Sequence, residues 1–172
     1  MKNKRNEVRY MAKLKGIKKI DRIINNFTKN FNIKADLGEE FLAYCDDRLI
    51  NYTLVIDEAD INYFIEDAKK RYPDVQADIF LWSLMHEIFH VITDNMWTPE
   101  ELDYFEEKKE EIYLLSNDEL DLKNDFYHCL PDEFMATKMA ANYMRKHSKE
   151  ISKFWIKLQK AIISFYKRNG LI

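Results

Sequence analysis

The sequence predicts a mostly helical α+β domain, and three observations support this fold class. The chain of 172 residues contains only three glycines and three prolines, too few for a turn-dense all-β protein or a collagen-like repeat. Aromatic residues make up 14% of the chain and provide bulky material for a core. Most segments have apolar residues at helical spacing, whereas two short runs are β-branched and aromatic. We assign residues 17–172 to one domain, preceded by a basic N-terminal arm at residues 1–16.

The first half of the domain is predicted to hold a helix, a small sheet and a second helix. Apolar residues recur at helical spacing over residues 17–31, which indicates an amphipathic helix. The runs Phe41–Cys45 and Leu49–Ile56 are separated by a short polar stretch, the pattern of a β-hairpin. Asp60 can cap a helix that continues to about Arg71, before the proline at position 73.

The second half is predicted to consist of helices only. Residues 77–93 are apolar almost all the way round, so this segment should be the buried central helix. Thr98, Pro99 and Glu101 form a capping-box sequence that starts an acidic outer helix, which ends near Leu115. Residues 116–130 show weak periodicity. Further helices are expected over residues 131–146 and from about Ser148 to a stop at Gly170.

Charge and cysteine content restrict the possible partners and location. The net charge of -3 combines a basic start, an acidic stretch from Glu100 to Glu133 and a basic C-terminal part, which we interpret as solvated faces. No zinc finger, recognition-helix pair or aromatic RNA-binding signature accompanies the basic residues, so nucleic acid is a weakly supported partner. Cys45 and Cys129 cannot form a disulfide framework, which predicts a cytoplasmic location. No apolar run reaches the roughly 18 residues of a membrane span. The oligomeric state is left open.

The central helix carries the sequence His86, Glu87, Ile88, Phe89 and His90, which is the HExxH pattern. Four residues advance a helix by about 400° and about 6 Å, so both imidazoles leave one face and can bind one ion. Glu87 lies on the adjacent flank, where it can accept a proton from a water molecule at the metal. Two hydrogen-bonded core histidines are the structural alternative. A divalent cation, however, would satisfy both imidazoles in this apolar helix.

A catalytic zinc site needs a third protein ligand and an open position. The long metzincin pattern is excluded because Thr93 and Met96 stand where it requires glycine and histidine or aspartate. Asp94 lies roughly 12 Å along the helix from His86, which is too far. Glu110 has the separation found in thermolysin-like enzymes but belongs to the acidic outer helix.

Glu133 is the favoured third ligand. It lies near the start of a helix in which Ala136 and Ala140 occupy positions i+3 and i+7, and these small residues allow close packing on the central helix. The neighbouring Asp132 remains an alternative if the helix starts one residue differently.

At this point the sequence resembles a known family. HExxH followed by Glu133, Ala136, Thr137, Met139 and Ala140 is similar to the ImmA/IrrE-type metallopeptidases, whose second motif reads E-x-x-A-N-x-F-A; Thr137 and Met139 replace the asparagine and phenylalanine. The resemblance covers about residues 17–146. It implies a minimal zincin-like domain, with a small β-sheet packed on the HExxH helix. It also implies His86, His90 and Glu133 as zinc ligands, Glu87 as general base, and a repressor or other regulatory protein as substrate.

Three residues before the glutamate helix complete the candidates. Tyr127 and His128 could donate a hydrogen bond to a developing oxyanion or support a metal ligand. Cys129 is expected to be a small buried hydrophobic residue without chemistry. We therefore expect a zinc-dependent peptidase holding one Zn²⁺, in which the edge strand of the sheet pairs with an extended peptide. The alternative is a catalytically inactive metal-binding module that regulates a protein or nucleic-acid partner by docking.

Overall fold

The computed structural model describes residues 14–37, 42–45, 48–52, 54, 79–115 and 120–172. The described helices are α1 (Ile17–Thr28), α2 (Ile79–Thr93), α3 (Pro99–Tyr113), α4 (Leu120–His128), α5 (Pro131–Lys146) and α6 (Ser148–Arg168). Three strands accompany them, namely β1 (Lys34–Leu37), β2 (Leu42–Cys45) and β3 (Leu49–Tyr52). The predicted helix from Asp60 to Arg71 and most of the basic arm lie outside the described residues. The mostly helical α+β class is confirmed.

Helix α1 forms where the sequence places apolar residues at helical spacing. Its buried side chains are Ile17, Ile20, Ile23, Ile24, Phe27 and Thr28. This face packs against α6, and the rings of Phe27 and Phe154 stack with their centroids 3.9 Å apart. A short 3₁₀ segment, Lys29–Phe31, follows, and Asn32 then adopts a left-handed conformation that turns the chain into β1.

The three strands form a mixed sheet in the order β1, β3, β2. Strand β2 pairs antiparallel with β3, which confirms the predicted hairpin strands, and β1 pairs parallel with β3. We did not predict β1, because its four residues follow the first helix without a periodic pattern of their own. The side-chain amide of Asn25 closes the outer edge of β1 by hydrogen bonding both the N–H and the C=O of Ala35, at 2.9 and 2.7 Å.

Helix α2 lies at the centre of the described fold. Strands β2 and β3 lie against it on one side, and α5 packs extensively against it on another. Its fully buried residues include Leu84, Met85 and Ile88. The predicted central helix is therefore confirmed, and it forms because apolar side chains cover nearly its whole circumference.

The remaining helices follow the predicted boundaries closely. The capping box is present, since the Thr98 hydroxyl accepts from the Glu101 N–H while the Glu101 carboxylate accepts from the Thr98 N–H. Helix α4 was not predicted, because residues 116–130 show only weak helical periodicity. Among the described helices, none combines the length and apolar character that a membrane crossing requires.

Candidate metal centre

The HExxH helix and the start of α5 bring the three predicted metal ligands together. His86 and His90 project from α2 toward Glu133, which lies in the first turn of α5 because Pro131 begins that helix. The distance between the two imidazole Nε2 atoms is 2.9 Å. Glu133 Oε2 lies 3.0 Å from His86 Nε2 and 3.4 Å from His90 Nε2. These three side chains form a group that could hold a metal ion.

The spacing of these donor atoms fits a small tetrahedral ion. Ligand atoms about 2.0–2.1 Å from a tetrahedral zinc ion are about 3.3 Å apart, close to the observed 2.9, 3.0 and 3.4 Å. Two imidazole nitrogens and one carboxylate oxygen also form a donor set that zinc accepts, with a fourth position open for water. The residues present therefore fit a divalent ion with one open coordination position.

Thr137 supports the first imidazole. Its Oγ1 lies 3.2 Å from His86 Nδ1, and it reaches this point because it follows Glu133 by one helical turn. When a histidine binds a metal through Nε2, its proton resides on Nδ1 and needs an acceptor, which the hydroxyl of Thr137 provides. The threonine that replaces the family's asparagine thus contacts a predicted ligand.

The second oxygen of Glu133 has two donors of its own. The Tyr127 hydroxyl donates to Oε1 at 2.9 Å, and the Lys109 ammonium lies 3.1 Å from the same oxygen. Burial alone would raise the pKa of Glu133, but hydrogen bonds from His86 and His90, together with Lys109, hold it well below its usual value. Glu133 is therefore charged despite being only 2% exposed.

Lys109 is a central part of this site that the sequence did not reveal. It also contacts Asp132 Oδ2 at 2.7 Å and Glu106 Oε1 at 3.0 Å. Burial would lower the pKa of Lys109, but these carboxylates and Glu133 raise it above its usual value. The available signal was its position four residues after Phe105, the buried residue of α3, which places both on the inward face.

Glu87 lies beside the metal group. Its side chain is partly buried, and its negative charge contributes to raising the pKa of both His90 and Tyr127. For His90, burial is the largest single influence and would lower the pKa, but the hydrogen bond to Glu133 and the negative charges of Glu133 and Glu87 together outweigh it and raise the pKa. The centre therefore favours a positive charge at the point where the three donor atoms converge.

The other candidates lie elsewhere or contact other groups. Asp132 is buried, but its Oδ2 binds Lys109 and its Oδ1 has no hydrogen-bond partner. Glu110 and His128 are exposed, and the His128 ring packs edge-on against Tyr127. Cys129 is exposed, so the expectation that it is buried was wrong. It lies in a turn directly after α4, at the surface. The oxyanion role of Tyr127 stays a prediction.

Comparison with known proteins adds no assignment. No family model, no curated protein and no solved structure matches this chain at a significant level. The functional interpretation consequently depends on the geometry of the centre and on the resemblance of its two short motifs.

Proposed function

We propose that this protein is a zinc-dependent metallopeptidase of the HExxH type, with a zincin-like arrangement of sheet and active-site helix. The observation that carries the proposal is the convergence of two imidazole nitrogens and one carboxylate oxygen within 2.9–3.4 Å of one another. A structural cluster would need only hydrogen bonds, whereas two imidazole nitrogens and a carboxylate oxygen that converge on one point suit a metal ion with an open coordination position.

The chain's own residues can supply the remaining chemistry. When bound, zinc would polarise the scissile carbonyl and activate a water molecule. Glu87 follows His86 directly and lies on the adjacent flank of α2, where it can accept the proton of that water and deliver it to the leaving amine. Thr137 and Glu133 hold the centre in place while this proton moves.

The sheet supports the binding of an extended peptide. Strand β2 lies against α2 and is the last strand of the sheet in the described part of the chain. At the opposite edge, Asn25 already occupies the free N–H and C=O of Ala35 in β1. A substrate strand would therefore add to β2, on the side of the sheet that borders the active-site helix.

A repressor or other regulatory protein is the substrate class that the resemblance implies, and it remains an analogy. Two imidazoles and a carboxylate also accept several divalent ions. Zinc is proposed because the donor set and spacing suit tetrahedral coordination.

The decisive experiment compares Glu87→Gln with Glu110→Gln. Each variant loses one carboxylate, but Glu110 is exposed on the outer helix. We expect both variants to retain one zinc per chain by elemental analysis, while only Glu87→Gln loses peptide-library cleavage, by about 100-fold or more. If the zinc-loaded wild type cleaves no library peptide, and the Glu87→Gln variant binds a captured protein partner as well as wild type does, the docking module is the correct function.

A further inference from the structure

Helix α3 reaches the metal centre through the long side chain of Lys109. The Lys109 side chain is only 15% exposed, and its ammonium lies within 3.1 Å of one oxygen from each of Glu106, Asp132 and Glu133. The neighbouring Lys108 differs from Lys109, because it forms an exposed i,i+3 ion pair with Glu111 of the same helix.

Tyr127 joins Lys109 on the same atom. Its hydroxyl donates to Glu133 Oε1 at 2.9 Å. This oxygen therefore has one hydrogen-bond donor from α3, Lys109, and one from α4, Tyr127. The second oxygen, Oε2, is the one that faces the two imidazoles. The two oxygens of Glu133 therefore have separate partners.

We propose that Lys109 and Tyr127 are positioning residues that hold Oε1 of Glu133 and thereby restrict this carboxylate to one-oxygen metal coordination through Oε2. The inference deepens the proposed function and depends on its metal site. A carboxylate that binds through both oxygens would take an additional coordination position, whereas one held through Oε1 leaves that position to water and substrate.

The burial of Asp132 and Glu133 explains why Lys109 and Tyr127 can fix the orientation of the Glu133 carboxylate. Asp132 and Glu133 are 5% and 2% exposed, so neither carboxylate can exchange its partner for bulk water. Charge-assisted hydrogen bonds between buried groups have narrow geometry, and such supporting contacts commonly fix the orientation of a metal ligand.

The test uses the full chain with matched pairs of variants. Tyr127→Phe removes one hydroxyl and is compared with Tyr113→Phe, which removes a hydroxyl from an exposed ring 6.1 Å from the Tyr127 ring. Lys109→Met is compared with Lys108→Met. Each protein is loaded with Co²⁺, and its visible absorption reports the coordination number, because four-coordinate Co²⁺ absorbs more strongly than five-coordinate Co²⁺.

We expect the Tyr127→Phe and Lys109→Met proteins to lose visible Co²⁺ intensity, while both control variants match the wild type. Zinc affinity, measured by competition with a chelator, should fall about 10-fold or more in Tyr127→Phe. For Lys109→Met the spectrum is the diagnostic measurement, because loss of a nearby cation also favours the metal electrostatically. Lys109→Arg retains a donor and a charge and should keep the wild-type spectrum.

Wild-type spectra and affinities in both the Tyr127→Phe and Lys109→Met variants would overturn the positioning role. That result differs from a failure of the proposed function, in which the wild-type chain itself would bind no Co²⁺ or zinc, or would bind zinc and cleave no library peptide. Tyr127→Phe decides the question if Lys109→Met does not fold, since it leaves the ion pairs of Lys109 intact.

Discussion

Two partly buried polar clusters of this protein differ in how their hydrogen-bonding groups are paired. In the first, between α1 and the sheet, Tyr52 donates to Asp21 at 3.1 Å and the amide of Asn25 pairs with the backbone of Ala35. Each donor in that cluster has an acceptor of the protein itself. We call it the sheet cluster.

The metal centre is arranged differently. Two imidazole nitrogens and a carboxylate oxygen converge on one point, and each of these three atoms faces the other two rather than a separate donor of its own. Asp132 Oδ1 beside them is buried without a hydrogen bond. Polar groups that all find hydrogen-bond partners within the protein thus indicate a structural role, whereas polar atoms that converge on one point indicate a site for a ligand.

The largest expected effect is the loss of zinc when one histidine of the metal centre is removed. Structural zinc sites contribute about 10–16 kcal/mol, so loss of one of three protein ligands in His90→Ala should weaken zinc binding by roughly a thousandfold or more. His147→Ala removes an imidazole that lies at the end of α5 and contacts Glu150 instead. Elemental analysis after dialysis should find one zinc in His147→Ala and none in His90→Ala. Stoichiometric zinc in both would mean that the ligand assignment is wrong.

A smaller effect is expected from the support of His86. Thr137→Val keeps the shape of the side chain but removes the hydroxyl 3.2 Å from His86 Nδ1. Zinc affinity should fall about 10-fold, since such supporting contacts typically change metal affinity by 10–100-fold. Thr93→Val is the control, because the Thr93 hydroxyl donates to the backbone carbonyls of Phe89 and His90 within α2. Equal zinc affinities for the two variants in a chelator titration would remove the role of Thr137.

The sheet cluster should have no effect on the metal and a measurable effect on stability. Tyr52→Phe should lower the free energy of unfolding by about 1–2 kcal/mol, because a buried hydrogen bond to a carboxylate is lost. Urea denaturation checks the stability and chelator titration checks the zinc affinity, which should stay unchanged. A loss of zinc affinity would show that the two clusters are coupled.

The pH dependence of the stability of Tyr52→Phe provides a second test of the sheet cluster. Burial, with the charge of Asp21, raises the pKa of Tyr52 above its usual value of 10.0. The folded-state pKa is thus the higher one, so the contribution of Tyr52 is fully present below pH 10 and is lost as the pH rises further. Stability should therefore fall less steeply above pH 10 in Tyr52→Phe than in the wild type. If the stability of both proteins falls equally steeply with pH, folding does not raise the pKa of Tyr52.

The elements that the sequence predicted well are those with local causes. The central helix, the α3 capping box and the start of α5 at Pro131 depend on residues within one or two turns, and their positions were predicted. Strand β1 and helix α4 were missed, since β1 becomes a strand only by pairing with β3, and the segment that contains α4 has weak helical periodicity.

The same division applies to the metal centre. The sequence by itself determined that His86 and His90 share one face and that Glu87 flanks them, because the helical period fixes these relations. Only the tertiary structure decided that Glu133, rather than Glu110, meets the imidazoles, and that Lys109, Tyr127 and Thr137 support the site. Those contacts join four different helices, and the packing that brings them together depends on the whole core rather than on any local pattern.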